Sequence, residues 1–253
     1  GLLVTEYRGF HEGLAAVKVD GRWGFVDVNG LLVIPAQYDR VSDFSGGLAA
    51  VTTEQGVMGF GGGKYGFIDK QGKIAINPQF DRAWGFSNGL ARVQLGAKFG
   101  YVDITGSYAI NPQFSDAFDF SEGLAAVYRG GSLGYIDRTG NMVINPQFDE
   151  AGPFCDGLAA VMVGGSFWGG GTYGYVNKAG RFAVNPQFAA AQPFSDGLGR
   201  VSDGDRYQYF TVEGAAAFAG QFAESRDFHE FLARGERELQ WGFLWRDGQF
   251  AIQ

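Results

Sequence analysis

The chain has 253 residues, 45% hydrophobic and 16% aromatic, with 42 glycines and a formal net charge of −7. That is ample for a buried core and too apolar for disorder, and the negative balance argues against a nucleic-acid or anionic-membrane partner. No apolar run approaches the ~18 residues of a membrane span, and the single cysteine, Cys155, excludes an internal disulfide framework.

The chain opens on Gly1 rather than Met, as expected of a processed product or a piece of a longer protein. The first phrase that recurs is "GLAAV" at 13–17. It returns from Gly47, Gly89, Gly123, Gly157 and Gly197, and in worn form at Phe231 ("FLAR"), in steps of 34, 42, 34, 34, 40 and 34. Its apolar residues are consecutive, the pattern of a strand covered on both faces. "WGFVD" (23–27) follows and reads as the second strand of a hairpin, closed by an Asp/Gly turn. Then comes "IPAQY" (34–38), repeated as "INPQF" at 76–80, 110–114 and 144–148, "VNPQF" at 184–188 and "FAGQF" at 218–222. Proline cannot donate to a ladder, so this phrase is expected to stop a third strand. "QFDEAGPF" (147–154), in the fullest copy, would hand over as a short fourth strand.

Further along, the departures from the period stand out. The second unit carries eight extra residues in a hairpin at 52–64, with Met58 and Phe60. Its "GVMGFGGGKYG" looks like a phosphate loop, but no Ser or Thr follows Lys64 and no helix follows the loop. The fifth unit carries six extra residues in the same hairpin, at 162–172, with Phe167 and Trp168. After each "GLA" stands Ala16, Ala50, Arg92, Ala126, Ala160, Arg200 or Arg234. A place that takes methyl or guanidinium is expected to open onto a channel or surface, where the arginines bind an anion or pair with carboxylates. His11, Ser45, Ser87, Ser121, Cys155, Ser195 and His229 share one slot, which reads as a turn position rather than a metal or catalytic site. The Asp27, Asp69, Asp103 and Asp137 column, continued by Asn177 and Thr211, reads as turn chemistry rather than calcium ligation. The aromatic pairs Trp23/Phe25, Tyr65/Phe67, Phe99/Tyr101, Tyr173/Tyr175 and Trp241/Phe243 each share a strand face and read as core.

The phrases "WGFVD" (23–27), "YGFID" (65–69), "FGYVD" (99–103), "LGYID" (133–137), "YGYVN" (173–177) and "WGFLW" (241–245), with "YQYFT" (207–211) as the departure, resemble WG repeats, also called KWG repeats, found mainly in bacterial proteins. The resemblance covers essentially the whole chain. It implies a repeat scaffold, often joined to other domains, with no catalytic signature to transfer.

A unit of three or four short strands cannot bury both faces alone and must stack on its neighbours. The expected fold is all-β: seven ~34-residue repeats of antiparallel strands in a single domain, residues 1–253, arranged as a seven-bladed β-propeller-like ring, with an open β-solenoid or superhelix of hairpins as the alternative. A ring closed by its own ends would bring Leu2–Val4 against Phe250–Ile252. No nucleophile–base pair, metal cluster or cofactor motif holds its place in the repeat register, so no enzyme, cofactor or metal is expected. The expected function is a scaffold for a protein partner. The alternative is a lectin-like module that takes glycan through the loop aromatics. Candidate binding residues are Met58, Phe60, Phe167, Trp168, Arg92, Arg200 and Arg234.

Overall fold

The computed structural model describes residues 3–53, 63–165, 169–229, 232–237, 240–245 and 247–252. Every element among them is a β-strand, and no helix there is long and apolar enough to cross a membrane. β1 (Val4–His11), β2 (Leu14–Val19), β3 (Arg22–Asp27) and β4 (Leu32–Tyr38) pair in chain order, each antiparallel to the last. "GLAAV" is the heart of β2, the aromatic-Gly phrase is β3, and the proline phrase lies in β4. The second unit repeats the plan with β5 (Arg40–Val41), β6 (Leu48–Thr52), β7 (Tyr65–Asp69) and β8 (Ile74–Phe80). Seven sheets of this kind succeed one another among the described residues, over 4–38, 40–80, 82–114, 116–148, 150–188, 190–211 and 224–252. Contacts gather the chain into two compact units, residues 1–120 with 138–140, and residues 121–137 with 141–253. Val4 pairs with Val19 and Phe250 with Leu244, each inside its own sheet, while Leu2 lies outside the described residues.

Within each unit the sheets meet through one repeated aromatic contact. The second aromatic of the hairpin strand packs edge-on or tilted against the phenylalanine three residues before the glycine slot of the next "GL". In the first unit the pairs are Phe25–Phe44 at 4.8 Å, Phe67–Phe86 at 5.1 Å and Tyr101–Phe120 at 4.8 Å. In the second they are Tyr135–Phe154 and Tyr175–Phe194 at 4.8 Å and Tyr209–Phe228 at 5.1 Å. These rings fill the space between sheets, so the second member of four pairs, Phe25, Phe67, Tyr101 and Tyr175, is core, while the first members Tyr65, Phe99 and Tyr173 are only half-buried. Trp23 and Phe25 are both buried, Tyr65 is half-buried beside buried Phe67, and Phe243 is exposed.

The proline phrase does not stop a strand. The fourth strand of five sheets runs straight through Pro35, Pro78, Pro112, Pro146 and Pro186. Two facts allow it. This strand is the outermost of its sheet, so its far edge needs no donor. The pairing also slips there: Leu133 faces Phe148 and Tyr135 faces Ile144, leaving a bulge that holds Pro146. The bulge drives backbone against the hallmark glycine. A Cβ on Gly134 would stand 2.5 Å from the Ile144 oxygen and 2.7 Å from the Pro146 nitrogen. Gly24, Gly66, Gly100 and Gly174 meet the same obstruction. The two recurring phrases are therefore one device, a bulge and the gap that admits it.

Handover also differs from the sequence expectation. Gln147 and Phe148 end the fourth strand of their own sheet, and Glu150–Cys155 is the first strand of the next. The sixth sheet has three strands, Ala190–Ala191, Leu198–Ser202 and Tyr207–Thr211. There Gln208 occupies the glycine slot and "FAGQF" lacks the proline, and only isolated bridges, Tyr207 to Phe222 and Phe210 to Ala216, stand where a fourth strand would be.

Candidate functional site

In the second sheet the enlarged loop leaves β6 at Thr52 and enters β7 at Tyr65; in the fifth, Leu158–Val163 is followed by Thr172–Asn177. Loops 52–64 and 162–172 thus join the second and third strands of their sheets, a connection that elsewhere needs only Gly130 and Gly131 between Arg129 and Ser132. Met58, Phe60, Phe167 and Trp168 lie outside the described residues. The feet of the loops are anchored. Lys64 pairs with Asp81, whose other oxygen accepts the Gly96 N–H at 2.6 Å, and these bonds hold the Asp81 carboxyl below its usual value. Gly165 N–H donates to Asp149 Oδ2 at 2.9 Å. At the foot of the first loop opens a largely apolar cleft of about 240 Å³, lined by Tyr38, Thr52, Phe67, Ile74 and Ile76. Among the described residues the Thr52 hydroxyl has no hydrogen-bond partner.

The methyl-or-guanidinium column is not open. Ala16 is 1% exposed and Ala126 3%. Arg92 and Arg200 are also largely covered, because each reaches across to the sheet that follows. Arg92 Nε lies 3.2 Å from Asp119 Oδ1, its Nη1 donates to the Ala117 carbonyl, and its guanidinium lies on the Trp84 ring at 4.0 Å. Arg200 Nε donates to Asp227 Oδ1 at 2.7 Å and its Nη1 to the Ser225 carbonyl at 2.6 Å. Where the column holds alanine, the slot equivalent to Asp119 holds Gly85, Pro153 or Pro193. Ala16 faces an aspartate, Asp43, and there Arg8 on β1 supplies the cation, 3.7 Å from Asp43 Oδ1 and donating to the Val41 carbonyl at 3.1 Å. The column is decided by the next sheet, so its arginines tie sheets together. Arg234 is exposed on its strand, Leu232–Arg237.

The Ser/His/Cys slot is a second tie. Ser45, Ser87, Ser121 and Ser195 each donate at 2.6 Å to the carbonyl of the next sheet's phenylalanine, Phe86, Phe120, Phe154 and Phe228. Ser121→Ala is expected to cost about 1 kcal/mol in urea unfolding through loss of this bond, and an unchanged midpoint would remove the serine from the scaffold. At the same slot His11 Nε2 lies 3.6 Å from Asp43 Oδ2, and burial, with Glu122 and Asp156 nearby, pushes the Cys155 thiol up. The aspartate column is turn chemistry. Asp27 Oδ1 accepts the N–H groups of Asn29 and Leu31 at 2.9 Å, and Asn177 Oδ1 those of Ala179 and Arg181 at 3.1 Å. The Leu31 N–H in particular holds the Asp27 carboxyl below its usual range.

One tie had not been anticipated. The hydroxyls of Tyr101, Tyr135 and Tyr175 donate at 2.7 Å, and that of Tyr209 at 2.5 Å, to the backbone carbonyls of Phe118, Gly152, Gln192 and Arg226, in or just after the following sheet's first strand. Their acceptors are backbone, which leaves no mark on the sequence; the one available signal was that this slot changes from Phe25 and Phe67 to tyrosine.

No curated protein sequence matches the chain. Among solved structures, a eukaryotic initiation factor is similar with a TM-score of 0.64 and 10% identity, over 93% of this chain and 70% of that one. Kluyveromyces lactis Hsv2, a seven-bladed propeller, is similar with a TM-score of 0.54 and 10% identity, over 98% of this chain and 91% of that one. At such identities the likeness speaks for the fold alone, which is all-β and propeller-like. The WG containing repeat matches at residues 4–23, 23–55, 65–99, 99–131, 134–167 and 173–207, so that by the recurrence of its aromatic-Gly strands and their bulged partners this chain belongs to the WG containing repeat family.

Proposed function

We propose that the chain is a non-enzymatic platform for a protein partner, and that the partner is held at the enlarged hairpins 52–64 and 162–172. The observation that carries this reading is the contrast between loops and scaffold. The side chains that recur from sheet to sheet are occupied in holding the sheets, whereas the two long loops interrupt the same connection of otherwise uniform sheets. Long departures from a tight repeat concentrate on the binding face. The apolar cleft beside the first loop is of a size to take one anchoring side chain of a partner, the usual centre of a protein interface.

The test shortens both loops to a two-residue turn such as Gly130–Gly131. The trimmed protein should keep its melting temperature to within about 4 °C, the shift that 1 kcal/mol gives a domain of this size, and should lose the partner that the full chain recovers from the source organism's extract. A trimmed protein that melts early yet keeps its partner would place the binding surface elsewhere.

A further inference from the structure

The third and sixth sheets carry the same arginine tie, but only one of them is roofed. In the third, the Trp84 indole lies over Arg92 and against Phe99 at 5.9 Å. The repeat register puts Gln192 in the slot of Trp84, Arg200 in that of Arg92, and Tyr207 in that of Phe99. With an amide in place of the indole, Arg200 packs on the Tyr207 ring at 5.1 Å instead. Beside them lies a polar cleft of about 370 Å³, within the ~300–1,000 Å³ range of small-ligand sites.

The lining has a distinctive charge balance. Arg200 and Arg226 are offset by Asp205 and Glu224. Arg200 is committed to Asp227 and the Ser225 carbonyl, while the exposed Arg226 has no ion pair among the described residues. Ser225 is 5% exposed and its hydroxyl is turned to the Tyr209 phenol, which donates to the Arg226 carbonyl, so Ser225 closes the floor of the cleft rather than facing a ligand. An anion would meet Asp205 and Glu224, a cation would meet two guanidinium groups, and an apolar ligand would strand the polar lining. What fits is a neutral molecule dense in hydroxyls, each able to donate to a carboxylate and accept from a guanidinium, with an apolar face for an aromatic wall.

We propose that this cleft binds a saccharide, one sugar ring seated against Tyr207 with its hydroxyls shared among Arg226, Glu224 and Asp205. The proposal does not rest on the protein-platform reading, since it uses neither enlarged loop. It is tested on the full chain by saturation-transfer NMR and calorimetry with glucose, galactose, mannose, N-acetylglucosamine, fucose and xylose. At least one of these should bind. Arg226→Ala, at an exposed position that does not burden folding, should weaken that binding by about tenfold or more, as loss of a charge-assisted hydrogen bond does. Gln192→Trp should rebuild the roof of the third sheet, fill the cleft and abolish binding while the melting temperature holds. If no sugar of the panel binds, if binding survives Arg226→Ala unchanged, or if inorganic phosphate binds and the sugars do not, the proposal is overturned.

Discussion

Gly134→Ala is expected to cost about 3 kcal/mol or more, at or beyond the upper end of ordinary overpacking. The reason is what the new methyl would strike. Its nearest neighbours, at 2.5 and 2.7 Å, are the Ile144 oxygen and the Pro146 nitrogen, backbone atoms that cannot rotate aside. Either the bulge flattens or the outer strand peels away. The sixth sheet displays the second outcome naturally, since it has Gln208 in this slot and three strands instead of four. Gly134→Gln should therefore strip the Met142–Phe148 strand, read as loss of amide protection there in hydrogen exchange while Leu124–Arg129 stays protected. Full protection of Met142–Phe148 in that variant would show that glycine is not what admits the bulge.

Alkali is expected to unfold the protein sharply. Burial pushes up the phenols of Tyr101, Tyr135 and Tyr175, and that of Tyr209 to about 12. Below the ordinary value near 10 these groups are protonated in both folded and unfolded chains, and their contribution is whole. Above it the unfolded chain gives up the proton and the fold cannot. Stability then falls by about 1.4 kcal/mol per tyrosine and per pH unit, until the folded phenols themselves ionise. Acting together, these tyrosines should exhaust the stability of an ordinary domain, about 5–15 kcal/mol, within roughly one to three units above pH 10. Circular dichroism and tyrosinate absorbance should change in one transition. Replacing all of them by phenylalanine, as Phe25 and Phe67 already have it, should move that transition to higher pH even though the inter-sheet bonds are lost. Ionisation of these tyrosines near pH 10 with the fold intact would contradict their burial.

Most of the architecture could be read directly from the residues. The period, the hairpin of "GLAAV" and "WGFVD", and the turn aspartates all depend on contacts close in sequence, and local patterns report those well. The error at Pro146 came from judging the residue by itself. Proline cannot donate to a ladder, but an outermost bulged strand asks for no donor at that point, and only the pairing partner reveals it. The pairing of the column's arginines with carboxylates held for Arg92 and Arg200, but its expected openness failed for a related reason. Ala126 and Arg92 share a slot because Pro153 and Asp119 differ in the sheet that follows, so the environment of each lies about 27 residues further along the chain. Comparing a unit with its successor, rather than with its own equivalents, would have exposed the Arg92–Asp119 and Arg200–Asp227 partnerships. As for the candidate loop residues, composition marked the loops as departures; their side chains follow no repeat, so nothing in the period predicts where they point.

The arginine ties have a consequence for how such a chain can evolve or be rebuilt. Repeat arrays are commonly lengthened by duplication and reordered by recombination, on the footing that one unit substitutes for another. Here the units have donor and acceptor ends that must match. A module ending in Arg92 or Arg200 needs a successor that begins with an aspartate, and one ending in Ala50, Ala126 or Ala160 is followed by Gly85, Pro153 or Pro193. A shuffled order would leave a covered guanidinium facing a pyrrolidine ring, at a penalty of about 1–3 kcal/mol for each lost charge-assisted bond, its half-exposed aspartate partner being gone. The linear order of the modules is thus written into their edges, and a designer who wishes to splice them must carry the edge residues along with the unit.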